Sequence, residues 1–128
     1  MNGSTRNRRD VAPLRDPRYA ALWELAGPHT GAVLLSAALV EIDPGATSPL
    51  HWHAMTEEVY MIIEGSGVMS LGDEVIAVSV GDCVTIPRRI VHSIGNTGGS
   101  PLHMWVVTSP PYTEGDDFEV LIDGYPAG

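Results

Sequence analysis

Residues 45–65 read GATSPLHWHAMTEEVYMIIEG, and this stretch decides the fold because it sets histidines and a glutamate among strand-forming residues. Residues two apart in a strand point to the same side, so His51 and His53 face the same way. In the next strand Glu58 and Tyr60 are two residues apart and point to the same side. If Tyr60 faces the interior of a barrel, Glu58 faces it too. Taken alone, the His-x-His pair is more typical of a surface histidine cluster.

The rest of the chain alternates short apolar runs with turns, which is typical of an all-β barrel or sandwich. It contains 14 glycines and 10 prolines, and most runs have the length of a strand. Residues 17–26 are the one segment predicted to be helical. The predicted strands are residues 32–42, 51–53, 57–64, 68–71, 75–80, 83–86, 92–94 and 102–108.

A second block, GDCVTIPRRIVHSIGN at residues 81–96, extends the pattern. The first block has the form G-x5-H-x-H-x4-E-x6-G, and the second resembles G-x5-P-x-G-x2-H-x3-N. The matching positions of the second block are Gly81, Pro87, His92 and Asn96. The two motifs resemble the cupin superfamily, most closely its small single-domain bacterial members, over residues 32–108. The resemblance implies an all-β fold, a double-stranded β-helix (jelly-roll) barrel with a short N-terminal helix or arm.

The resemblance also implies one divalent metal ion in the barrel. Its ligands would be His51, His53, Glu58 and His92. Three neutral imidazoles and one carboxylate leave such an ion with a residual charge of about +1, which suits an anionic or enolisable substrate oxygen. Ligands of these types accept Fe, Mn, Zn, Ni, Cu or Co, so the sequence does not select the metal.

Arg89 departs from the family pattern, because it stands where the motif has glycine. An arginine with a positive φ would be strained, so the sequence predicts a different turn shape at this position. With Arg88 it is a candidate to clamp a substrate carboxylate, the alternative being an exposed turn. Tyr60 is a candidate to orient a substrate or donate a proton, the alternative being core packing. Cys83 is predicted to be a buried apolar residue.

Charge divides the chain, whose net value is −9. Five of the seven arginines lie in residues 1–18, predicted to be a flexible Arg-rich N-terminal arm, and residues 19–128 are predicted to form a single cupin barrel domain. Beyond the arm, two arginines are accompanied by fourteen acids, so no nucleic-acid or membrane partner is expected.

Lysine is absent, which excludes Schiff-base catalysis. One cysteine and no signal-like apolar stretch indicate a cytoplasmic location.

These features predict a metal-dependent enzyme that acts on a small oxygenated organic molecule. Dioxygenase activity is favoured on its frequency among cupins, although this fold carries many functions. The alternatives are a redox-neutral cyclase of the polyketide cyclase type, an isomerase or a lyase of a biosynthetic pathway, and a non-catalytic small-molecule-binding cupin. A homodimer is the family expectation, and the apolar residues 118–122 are expected either to lie across the barrel or to contact a partner.

Overall fold

The structure, a computed structural model, describes residues 3–16 and 20–120. These residues form two single-turn 3₁₀ helices, Arg8–Asp10 and Pro28–Thr30, and otherwise strands and turns. The strands are β1 (Leu14–Asp16), β2 (Ala20–Ala26), β3 (Ser36–Ile42), β4 (His51–His53), β5 (Glu57–Glu64), β6 (Ser66–Leu71), β7 (Glu74–Ser79), β8 (Cys83–Ile86), β9 (His92–Gly95), β10 (Leu102–Ser109) and β11 (Asp117–Glu119). Neither described helix is long and apolar enough to cross a membrane.

The strands make two antiparallel sheets with one core between them. One sheet has six strands in the order β1-β2-β3-β10-β5-β8, and the other has five in the order β11-β4-β9-β6-β7. The buried cluster combines Val40, Ile62 and Met104 of the first sheet with Met69 and Ile94 of the second. Alternation along each strand produces this core, because every second side chain points inward. The all-β, two-sheet barrel predicted from the resemblance is confirmed.

The helix predicted for residues 17–26 is wrong where the structure describes it. Residues 20–26 form β2, which lies between β1 and β3 and pairs Trp23 with Leu39. The alanines of this segment favour a helix locally, but pairing on both edges and burial of the Trp23 ring outweigh that preference. Residues 17–19 lie outside the described part.

The described part of the Arg-rich arm packs against the six-stranded sheet. β1 pairs antiparallel with β2, placing Leu14 opposite Leu22. Before β1 in the sequence, the Arg8 guanidinium lies 5.0 Å from the centroid of the Trp23 ring. At this distance a cation and an aromatic face attract each other. Residues of the arm therefore contribute to the barrel wall, and the division of the chain at residue 18 stays a prediction.

The turn that carries Arg89 keeps the backbone conformation that glycine usually provides. Arg89 has φ +68°, so the prediction of a different turn shape is wrong. This left-handed conformation costs a non-glycine residue about 1–2 kcal/mol. In return, the Arg89 backbone N–H donates a 2.7 Å hydrogen bond to the carbonyl of His53. The strained residue thus ties the turn to β4.

Cys83 lies on the outer side of β8 and is exposed, so its predicted burial is wrong. The reason is strand parity. Val84 and Ile86 take the two interior positions of this four-residue strand, which leaves Cys83 facing outward.

Candidate metal centre

The structure brings together the four side chains that the sequence analysis proposed as ligands. His51 and His53 come from β4, His92 from β9 and Glu58 from β5. β4 pairs with β9 through His51 and His92, whereas β5 belongs to the opposite sheet. One donor atom from each residue lies within 4.8 Å of every other, so the four form a group that could hold a metal ion.

Each imidazole is oriented by a hydrogen bond from its outer nitrogen to a backbone carbonyl. The Nδ1 to carbonyl oxygen distances are 2.7 Å from His51 to Pro49, 2.9 Å from His92 to Ile90 and 3.2 Å from His53 to Asp116. A carbonyl only accepts, so Nδ1 donates in each case, and the neutral ring keeps a lone pair on Nε2. This is the tautomer that a metal-binding histidine needs.

The inner atoms of the group face each other without a hydrogen-bond partner. Glu58 Oε2 lies 2.9 Å from His92 Nε2 and 3.3 Å from His53 Nε2. These distances are short, yet none of the three buried atoms has a partner with hydrogen-bond geometry. Buried acceptors directed at one point are costly unless a cation lies between them. The donor set therefore fits a divalent metal ion.

The electrostatics of the group also favour a cation. Burial, together with His92, lowers the pKa of His51 to about 4, so this imidazole is neutral at neutral pH. Burial alone would raise the pKa of Glu58, but the contacts with His53 and His92 lower it to about 2. For His53, burial lowers the pKa and the adjacent Glu58 carboxylate outweighs it, so the pKa is raised. The Glu58 carboxylate thus favours a positive charge among the imidazoles. A metal ion provides that charge when it binds in place of a histidine proton.

Asp116 positions His53, and the sequence analysis did not identify it as a site residue. Its carbonyl accepts the bond from His53 Nδ1, and its carboxylate holds the chain just after β4. The carboxylate accepts from the Thr56 hydroxyl at 2.7 Å, the Met55 amide at 3.0 Å and the Ala54 amide at 3.2 Å. A slight loss of hydration opposes these bonds, but they hold the pKa of Asp116 below its usual value.

We expect Asp116→Ala to lower metal affinity about 10–100-fold, the usual effect of losing a group that orients a ligand. The variant keeps the carbonyl but frees the segment that fixes His53. Competition with a chromophoric chelator measures the change. Glu114→Ala is the matched control, because Glu114 is an exposed acid of the same segment. Equal affinities for the two variants would contradict a positioning role for Asp116.

The two candidate catalytic residues lie in different places. Tyr60 is buried, lines the cavity beside the ligand group and has its ring centroid 5.9 Å from that of His92. Arg89 lines a separate surface depression with Arg88 and Met55. The structure does not bring Arg89 to the centre, and a substrate contact by either residue stays a prediction.

The comparison with known proteins decides the family. Residues 38–108 match the family model described as the cupin domain. The chain belongs to the cupin family. This cupin is 39% identical over 87 residues to an uncharacterized protein of Methanocaldococcus jannaschii, covering 68% of this chain and 67% of that protein. It is 30% identical over 86 residues to xanthan biosynthesis protein XanB of Xanthomonas campestris, covering 67% of this chain but only 18% of XanB.

Solved structures agree with the family. An oxalate decarboxylase of Lactobacillus farciminis superposes on this cupin with a TM-score of 0.77 and 27% identity, covering 88% of this chain and 34% of the decarboxylase. A protein from Planctomyces limnophilus gives a TM-score of 0.78 at 16% identity, covering 91% and 96% of the two chains. The second likeness shows the fold alone.

Proposed function

We propose that this cupin is a metal-dependent enzyme that acts on a small oxygenated organic molecule, with dioxygenase activity. The observation that carries the proposal is the convergence of three imidazoles and the Glu58 carboxylate beside a cavity of about 380 Å³, with His53 Nε2, His92 Nε2 and Glu58 Oε2 buried and without a hydrogen-bond partner. Once bound, a divalent ion supplies Lewis acidity toward a substrate oxygen or, if it is redox-active, a site for dioxygen. A homodimer without nucleic-acid or membrane partners is part of the same proposal.

The side chains inside the cavity favour oxygenation over redox-neutral chemistry. A cyclase, isomerase or lyase moves protons and needs an acid or base in reach of the substrate. Among the described residues lining the cavity, Tyr60 is the buried acid–base group outside the four ligands. The other ionisable lining residues are exposed or half-buried. Redox-neutral catalysis remains the second candidate, because the Tyr60 hydroxyl is able to serve as an acid.

Elemental analysis tests the metal centre before any substrate is known. The wild-type protein, purified and supplemented with divalent metals, is expected to retain about one equivalent of metal ion, and His92→Ala less than a tenth of that. His103→Ala is the matched control, because this histidine lies outside the group and contacts Glu41 and Glu64. A metal-free wild type after supplementation would refute the proposal.

Oxygen uptake separates the two kinds of chemistry. We expect the iron-loaded protein to consume dioxygen with at least one member of a panel of catechols, diketones and thiols, and His92→Ala to consume none. An oxygen electrode measures the rate. Conversion of a panel member without oxygen uptake would instead establish the redox-neutral candidate.

A further inference from the structure

The inner wall of the cavity beside the metal centre is apolar. The cavity has a volume of about 380 Å³ and lies between the two sheets. Its aliphatic lining comes from strands of both sheets and is buried or half-buried. Members of this lining are Val40, Ile42, Ile94, Met104 and Val106. Such a wall accepts hydrocarbon, and of the hydroxyl groups in the same lining those of Ser36 and Thr108 already bond each other.

No cation among the described lining residues reaches into this interior. Arg15 on β1 is the one cation in the described lining, and it is exposed. The chain has no lysine, and Arg88 and Arg89 line the separate surface depression. A carboxylate placed against the apolar wall would lose its hydration without gaining an ion pair. A metal ion compensates most strongly the ligand group that it binds directly, because its attraction for a more distant charge falls with separation.

The mouth of the cavity is acidic. Four exposed or half-buried carboxylates line it, and they come from β1, β2 and β11. They are Asp16, Glu24, Asp117 and Glu119. Within the described lining these four acids stand against one arginine, Arg15; Glu24 also lies 3.3 Å from His29 Nδ1, and the whole chain carries a net charge of −9. The summed field at the entrance therefore repels anions and leaves uncharged molecules unaffected.

We infer that the cavity takes an uncharged, largely apolar molecule that carries its oxygen donors at one end, and that it rejects ligands bearing a further carboxylate. The inference rests on the proposed function, since the metal holds the oxygen end. The apolar wall receives the rest of the molecule. Two effects disfavour the binding of a second anionic group: repulsion by the acids of the mouth, and the loss of its hydration inside the cavity.

Two catechols of similar shape test the inference. 4-Isopropylcatechol and 3,4-dihydroxybenzoate share two adjacent hydroxyls and differ at the other end, where one has an isopropyl group and the other a carboxylate. Isothermal titration calorimetry of each into the zinc-loaded protein, with the zinc content of the same sample determined, measures binding without turnover. Each affinity is divided by that of the same catechol for free Zn²⁺ in the same buffer. We expect the normalised affinity of the isopropyl compound to be at least about tenfold higher than that of the carboxylate compound.

The outcomes separate the inference from the proposal beneath it. A sample that holds no zinc refutes the metal centre. A zinc-loaded sample that binds neither compound, or that binds the carboxylate at least as well, overturns the substrate class and leaves the metal centre standing. The double variant Glu24→Gln with Asp117→Asn is expected to reduce the preference about two- to fivefold, because two acids of the mouth lose their charge. An unchanged preference would overturn the contribution of the mouth.

Discussion

Adding a divalent metal ion at about 1,000 times its dissociation constant is expected to raise the melting temperature of the metal-free protein by about 12–24 °C. An ion that binds only the folded chain at this concentration stabilises it by about 4 kcal/mol. In a domain of this size, each kcal/mol shifts the melting temperature by roughly 3–6 °C. Differential scanning calorimetry of chelator-treated protein, with each candidate metal added separately, gives the size of the rise and the preferred ion.

Two neighbouring glutamates provide a matched pair for this experiment. Glu58 is 5% exposed and lies in the ligand group, whereas Glu57 is exposed on the other side of β5. We expect Glu57→Ala to keep the full rise. Glu58→Ala should bind metal at least about 100-fold more weakly, which at the same concentration leaves a rise of about 5 °C. A full rise in Glu58→Ala would show that the metal stabilises the protein from some other place.

The candidate ligand group could be named residue by residue because the two blocks that resemble the cupin motifs contain all four positions. Alternation in a strand puts His51 and His53 on one face, and the parity of Glu58 with Tyr60 turns it toward the interior. His92 was placed through the second motif, and the pairing of β4 with β9 explains why a residue some forty positions away in sequence meets His51. Here the pattern of turns and hairpins left few ways for the strands to pair.

What the sequence did not reveal depends on contacts between distant segments. β2 has the composition of a helix, and its pairing with β1 and β3 makes it a strand. Asp116 lies in an acidic stretch that reads as loop, and although the apolar residues after it suggested contact with the barrel or a partner, nothing local indicates that they pair with β4. Arg89 was expected to change the turn because its strain is visible in the sequence, whereas the hydrogen bond from its amide to His53 is not. The motif resemblance named the candidate ligands, whereas it did not point to the residues that orient them.

Asn96 closes the second motif and is expected to be a structural residue, so that Asn96→Ala destabilises the protein by about 3 kcal/mol. It is 2% exposed and uses its whole amide. Nδ2 donates to the carbonyl of Ile42 at 2.9 Å and to that of Ser100 at 2.8 Å, and Oδ1 accepts from the Gly98 amide at 2.9 Å. These bonds join the end of β3 to the loop that leads into β10. Urea unfolding of the metal-free protein measures the loss.

The aspartate variant identifies which bonds matter at this position. Asn96→Asp keeps the shape of the side chain and the acceptor for Gly98, but it replaces the amide donor with an oxygen that faces the carbonyls of Ile42 and Ser100. Two acceptors brought together in a buried place repel, and a buried carboxylate also loses its hydration. We therefore expect Asn96→Asp to be at least as destabilising as Asn96→Ala. Stability equal to the wild type would mean that the two donated bonds contribute nothing, and the link between β3 and the β10 loop would have to come from the backbone alone.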